Sequence, residues 1–244
     1  MEIKIIFENK DFLVISKPAG LPSAPLHSLD EESALTKVVK NYPEVLKING
    51  KKSIEYGLLH RLDTVTEGLL LIALNQAFYD KMIIEQEKNL FIKTYYAECD
   101  IESDLESDIE KKEGFPVFPF RLKPVPNFSL SIESYFRAYG KGKKEVRPVI
   151  NNDNSYGNKK ANFNKKYVTN VKIINIKKDC CAVECKITQG FRHQVRNHLA
   201  WAGLPIKGDS LYNKNTRESN IKFYAVGLDF SYNGQDYSFR IEDF

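Results

Sequence analysis

Two short apolar-rich runs, Ile3–Phe7 and Phe12–Ser16, flank the polar tetrad Glu8-Asn9-Lys10-Asp11 and predict strand, turn, strand. Lys17-Pro18-Ala19-Gly20 then breaks the second strand, because proline cannot donate to a ladder. Ser28-Leu29-Asp30-Glu31 has capping-box spacing, and Leu35, Val38, Val39 and Tyr42 follow at helical intervals until Pro43 stops the helix. Gly68 precedes an unbroken apolar run, Leu69–Leu74, which reads as a buried strand. Asn75 is placed to cap a helix carrying Phe78, Met82 and Ile83 to about Lys88. Phe91–Cys99 and Ser129–Tyr139 read as strands, and Val168–Ile176 with Cys180–Ile187 as a hairpin. Arg192–Ala202 reads as a helix ended by Gly203, with Pro205 beyond it. Tyr224–Phe230 and Tyr237–Ile241 close the pattern as strands. Strands outnumber helices and short turns join several of them, so the expected class is α+β with a largely antiparallel sheet.

Composition adds little until charge is followed along the chain. The 244 residues suffice for a real core and carry a formal net charge of only +4. From Glu98 to Glu113 there are eight acids and two lysines, a net of −6, and this block reads as a loop or crossover. From Ala138 to Lys178 there are eleven basic residues and two acids, a net of +9. Within it, 140–160 is rich in Asn, Lys and Gly and is the segment expected to be flexible. Such blocks are ordinarily solvated loops, but a concentrated basic block also serves as an electrostatic footprint for RNA. The four cysteines, Cys99, Cys180, Cys181 and Cys185, have no zinc-site spacing and are expected to be buried free thiols. The first residues, MEIKIIFENKD, contain acids and no small-residue cleavage site, and no apolar run nears the ~20 residues of a membrane helix. A soluble, cytoplasmic protein is expected.

Three stretches could carry chemistry. LLHRLDTVTEGLLLIAL sets His60, Arg61 and Asp63 at the mouth of the buried strand. A partly dry nucleophilic carboxylate stays ionised only with a cation near it, because desolvation raises its pKa. A cap or turn aspartate is the plainer reading of Asp63. In TQGFRHQVRNHLAWAGLPIKGDSLY, a helix from Arg192 would put Arg192 and Arg196 on one face, with free backbone N–H groups at its start. Two cations there suit phosphate or a carboxylate partner; a solvated helix face is the alternative. His193 and His198 are five apart, which is poor spacing for joint metal ligation. In Lys93-Thr94-Tyr95-Tyr96 one tyrosine faces inward, either as core or as a stacking face for an unstacked base.

Taken together, these stretches resemble the RluA-type RNA pseudouridine synthases. LLHRLDTVTEGLLLIALN resembles that family's signature, and four further stretches match in the same order: VISKPAGLPSAP, FIKTYYAEC, KEVRPV and GFRHQVRNHLAWAGLPIKGDSLY. The resemblance implies the pseudouridine synthase fold, with a mixed, mainly antiparallel sheet, flanking helices and a central RNA-binding cleft. It implies isomerisation of uridine to pseudouridine in ribosomal or transfer RNA, with no metal and no cofactor. On it, Asp63 is the essential carboxylate, Arg196 the basic residue that pairs with it, Tyr95 the tyrosine that packs on the target base, and Arg61 an arginine that helps displace that base. His60 belongs to the same substrate-binding motif. Where the family commonly has Gly-Arg-Thr-His-Gln, this chain has Gly190-Phe191-Arg192-His193-Gln194, so the arginine is displaced by one place and the role of Arg192 is in doubt.

Many relatives carry an S4-type RNA-binding module ahead of the catalytic part. Here the matching part begins at about Ile3, so residues 1–244 are expected to form one catalytic domain, with a basic insert at 140–166 available for RNA contacts. A monomer is expected. Two other functions stay open: a non-catalytic RNA-binding or chaperone protein on the same fold, and an N-glycosidase that releases uracil. The residues name neither the RNA nor the uridine.

Overall fold

The computed structural model describes residues 1–101, 115–119, 124–150 and 163–242. The acidic block from residue 102 and the part of the basic insert at 151–162 lie outside them. The chain folds as two compact units, residues 1–94 with 224–244, and residues 95–223. No helix among the described residues is long and apolar enough to cross a membrane.

The first unit begins with β1 (Lys4–Glu8) and β2 (Phe12–Lys17), paired antiparallel as expected. Asn9 makes the turn, its side-chain oxygen accepting from the backbone N–H of Asp11 and Phe12 at 2.9 and 2.8 Å. The capping box falls later than predicted. Ser33 caps α1 (Ala34–Val39) with Thr36 as its partner. Ser28 instead bonds Asp30, and the Glu31 carboxylate accepts from the backbone of Leu26. Pro43 does more than stop that helix: it opens a short 3-10 turn, Pro43–Lys47, where its missing N–H costs nothing.

The unbroken apolar run is β3 (Glu67–Ala73), and every residue after Glu67 is buried. It has no polar alternation because it is covered on both faces and both edges. It pairs antiparallel with β2 and parallel with β9 (Phe223–Tyr232). That parallel pairing requires a glycine, since a Cβ on Gly68 would lie 2.2 Å from the Ala225 carbonyl oxygen. β10 (Gln235–Arg240) completes this part of the sheet against β9. Asn75 caps α2 (Gln76–Glu87), as its position predicts. The core between them is aromatic: Phe12 and Phe78 stack at 4.7 Å, and Phe78 meets Tyr232 edge-on at 4.8 Å.

In the second unit, β4 (Ile92–Asp100, entering from the first unit), β8 (Cys180–Ile187), β7 (Tyr167–Lys177), β5 (Ser129–Tyr139) and β6 (Glu145–Val149) lie side by side in that order. The β7–β8 hairpin is the predicted one. β6 is not predicted, because it sits in the segment read as flexible. It pairs antiparallel with β5, and as the edge strand it tolerates Pro148. α3 is Gln194–Trp201, two residues shorter at its start than expected. The four cysteines are free, and three are buried. The α+β class and the mainly antiparallel mixed sheet hold, and β3–β9 is a parallel pair within it.

Phe78→Ala should destabilise the fold by about 3–5 kcal/mol, since it empties a fully buried aromatic site. Leu90→Ala, at a half-exposed position, should change stability by less than about 0.5 kcal/mol. Urea unfolding of the two variants measures the difference.

Candidate active site

Asp63 lies in a turn stitched from both sides. Its own carbonyl accepts from Thr66 N–H at 3.0 Å. Before it, Leu62 is clasped by Ser23: the hydroxyl donates to the Leu62 carbonyl at 2.8 Å and accepts from the Leu62 N–H at 2.9 Å. After it, the Thr64 carbonyl accepts from Gly20 N–H at 2.7 Å and from the Lys17 ammonium at 3.3 Å. The backbone on each side of Asp63 is therefore fixed while its side chain stays partly exposed. Asp63 thus opens a turn whose backbone is held on both sides.

Lys17 is the residue the sequence reading passed over. Its side chain ends β2 fully buried, and its ammonium also donates to the carbonyls of Leu21 at 2.7 Å and Pro18 at 2.9 Å. Burial pulls its pKa down from 10.5 to about 8, and the carboxylates of Asp63 and Glu67 act against that fall. A lysine just after a buried strand, in the motif VISKPAG, was the available signal.

The other motif residues of the first unit have partners of their own. His60 sits over the edge of Phe91, with ring centroids 5.4 Å apart, and its Nε2 accepts from Leu71 N–H at 3.2 Å. Burial first, and Lys93 second, push its pKa down to about 3, so the ring is neutral and fastens the turn to β3. Arg61 is exposed and donates to Glu55 at 2.8 Å, and Lys52 joins the same carboxylate at 3.1 Å.

In the second unit, Tyr95 is buried and stacked on Phe223, with centroids 5.1 Å apart and planes 11° from parallel. α3 is buried along its whole length despite its polar residues, because each is spoken for. Arg196 grips Asp209 through Nε and one Nη, both at 2.7 Å, and its guanidinium lies 5.4 Å from the centre of the Tyr212 ring. Asn197 donates to the Val146 carbonyl at 2.7 Å. His198 is held between Ser134 at 2.9 Å and Thr169 at 2.8 Å, and burial pushes its pKa down to about 3. Arg147 stacks over Tyr139 and Phe115 at 4.4 and 4.5 Å and pairs with Glu145 at 2.7 Å. The Tyr212 hydroxyl accepts from Val146 N–H at 3.0 Å and shares a bond with His193 Nδ1 at 2.9 Å.

The expectation that Arg192 and Arg196 share a helix face is corrected. His193, in the left-handed conformation at φ 56°, occupies the cap, so Arg192 falls outside the helix. Its guanidinium donates to the backbone carbonyls of Lys143 and, at 3.2 Å, Glu145. Asp209 and Tyr212 were missed as partners of α3, although both stand in the quoted GDSLY.

The fold is similar to that of human RNA Pseudouridylate Synthase Domain Containing 1, with a TM-score of 0.66 and 18% identity, covering 99% of this chain and 84% of the human one. This is the pseudouridine synthase fold. A family model described as RNA pseudouridylate synthase matches residues 11–201, and the chain belongs to that family. It is 25% identical to Ribosomal large subunit pseudouridine synthase D of Buchnera aphidicola over 210 residues, 86% of this chain and 54% of that protein. It is 26% identical to an uncharacterized RNA pseudouridine synthase of Haemophilus influenzae over 236 residues, 95% of this chain and 84% of that one. The chain thus spans about half the length of the first relative and most of the second.

Because His60 and His198 are held well below their ordinary pKa of 6.5, the folded protein binds fewer protons than the unfolded chain between about 3 and 6.5. The stability they contribute is present above 6.5 and is lost as pH falls toward 3. Unfolding at about pH 5 should take up close to two protons on their account, read from the pH dependence of the urea midpoint. Their ring C–H NMR signals should not titrate between about pH 8 and 5.

Proposed function

We propose that this protein isomerises specific uridines in RNA to pseudouridine, with Asp63 as the catalytic carboxylate. The observation that carries the reading is the turn of Asp63, fixed at Leu62 and Thr64 within the residues that the family model matches. In the reaction the bond from N1 to the ribose breaks, the base turns, and C5 bonds to the ribose carbon. The proton that leaves C5 is balanced by one gained at N1, so mass is unchanged. Attack by the carboxylate on the ribose and proton removal from it both need Asp63 ionised. Lys17, beneath the turn, supplies positive potential toward it. A paired target must leave its stack, at a cost of a few kcal/mol, which favours loops.

Arg61, Tyr95, Arg196 and His60 complete the proposed substrate-binding set, with Arg192 serving it through the backbone carbonyls it holds. His60 serves from beneath, through the strand backbone it holds, and Tyr95 offers a ring already braced by Phe223. The reaction needs no metal and no cofactor. Ribosomal RNA is the first substrate to test, given the printed name of the Buchnera relative, and transfer RNA the second. We place the enzyme in the cytoplasm as a monomer.

The test is to map pseudouridine by carbodiimide-dependent reverse-transcription stops in RNA from cells with and without the protein. Stops should vanish without it and return with wild type but not with Asp63→Asn. Unchanged stops everywhere would contradict the reading. Loss of mass in the target RNA, from released base, would instead make the protein a glycosidase.

A further inference from the structure

The segment Gly140-Lys141-Gly142-Lys143-Lys144 joins β5 to β6, and all five residues are exposed. Three of them have left-handed backbone: Gly140 at φ 75°, Gly142 at 71° and Lys143 at 55°. The glycines adopt it freely, whereas Lys143 does so against its own Cβ. The turn is closed by Lys143 N–H donating to the Gly140 carbonyl at 3.1 Å. It is then held from outside the hairpin. One Nη of Arg192 donates to the carbonyl of Lys143 itself and to that of Glu145. A strained, side-chain-bearing residue is thus fixed by an arginine 49 positions away in sequence.

The charge at this tip is one-sided. No ion pair joins Lys141, Lys143, Lys144 or Arg192 to an acid among the described residues. The nearby acid, Glu145, is taken by Arg147 at 2.7 Å. The bonds from Arg192, distant in sequence, hold the tip in one shape. Three ammonium groups with no acid partner among the described residues, on a short, fastened turn, form a preset surface for closely spaced negative charge, and the phosphodiester backbone of RNA is such a partner.

We infer that the β5–β6 hairpin tip is a phosphate-contacting surface, with Lys141, Lys143 and Lys144 as the contacts and Arg192 as the residue that positions them. This rests on the proposed action on RNA and goes beyond it. It gives the displaced arginine of Gly190-Phe191-Arg192-His193-Gln194 a role: its donors are turned to backbone carbonyls. Deleting the insert would be a poor test, because β6 supplies the Val146 groups that hold Asn197 and Tyr212.

Point variants keep the strand. Affinity for a fluorescein-labelled single-stranded RNA of mixed sequence should be measured by anisotropy between about 50 and 200 mM salt. The proteins are wild type, Arg192→Ala, and the triple variant Lys141→Ala, Lys143→Gly, Lys144→Ala, in which glycine keeps the left-handed turn unstrained. Thermal unfolding first confirms that each is folded. The triple variant should bind more weakly, with a log–log salt slope shallower by about two, since each single-strand phosphate contact contributes roughly 0.7. Arg192→Ala should bind more weakly at every salt concentration with an unchanged slope, and backbone amides of residues 140–146 should exchange faster in the free protein. An unchanged slope in the triple variant overturns the phosphate surface. A shallower slope with unchanged exchange in Arg192→Ala overturns the clasp and makes Arg192 itself the phosphate contact. Wild type is read first: if it neither binds nor modifies RNA, the enzyme reading falls and takes this one with it, whereas a wild type that modifies RNA beside a triple variant of unchanged slope removes the hairpin alone. Binding of polyglutamate in place of RNA overturns RNA as the partner.

Discussion

The turn that carries Asp63 depends on a buried ammonium. Placing a cation inside a protein costs several kcal/mol unless its donors are satisfied, and Lys17 satisfies them with three carbonyls. Two of those carbonyls belong to the bend that ends β2, and the third belongs to Thr64, beside Asp63. The cation therefore ties a strand end to a loop from another part of the chain, and a neutral side chain of the same length could not hold all three oxygens. Ser23 repeats the device on the other side of Asp63, matching one hydroxyl to both backbone groups of Leu62. The carboxylate is positioned by bonds to its neighbours' backbone on both sides.

The second unit applies the same economy to arginine. Arg196 and Arg147 are both nearly inaccessible, each paired with a carboxylate and each laid against Tyr212. Planar guanidinium groups stack on aromatic faces and fork onto carboxylates at once, which a lysine cannot do. α3 can therefore be polar in sequence and buried in fact. Burial of Tyr212, opposed by the Val146 bond and the two arginines, pushes its hydroxyl up to about 12, so it remains a neutral hydrogen-bonding group throughout the working range of pH.

Much of this was legible from residues alone, and the failures have physical causes. β3 was readable because Leu69–Leu74 is a run that only a doubly covered strand tolerates. α2 was readable because Asn75 is a strong cap with a periodic face behind it. β6 was hidden, since Glu145-Val146-Arg147-Pro148-Val149 contains a proline and two charges, and only its edge position and the Arg147 stacking permit a strand there. The start of α3 was misplaced because His193 takes a left-handed conformation that no propensity suggests. Asp63 was legible as a residue at a strand mouth, and its assignment to chemistry came from the ordered motifs. What holds it could not be read, because Lys17 and Ser23 reach it from about 40 positions or more away in sequence.

The account's central claim is that Asp63, fixed in this turn, performs the isomerisation. Joining C5 of the uracil to the ribose expels the hydrogen on C5, so RNA carrying tritium at C5 of its uridines releases it to water as the reaction proceeds. Single-turnover tritium release by wild type and by Asp63→Asn, at matched RNA occupancy and with matched thermal stability, measures that claim directly. The account predicts release by wild type and none above background by Asp63→Asn, even though the variant binds RNA as tightly. Release by Asp63→Asn at the wild-type rate would contradict it.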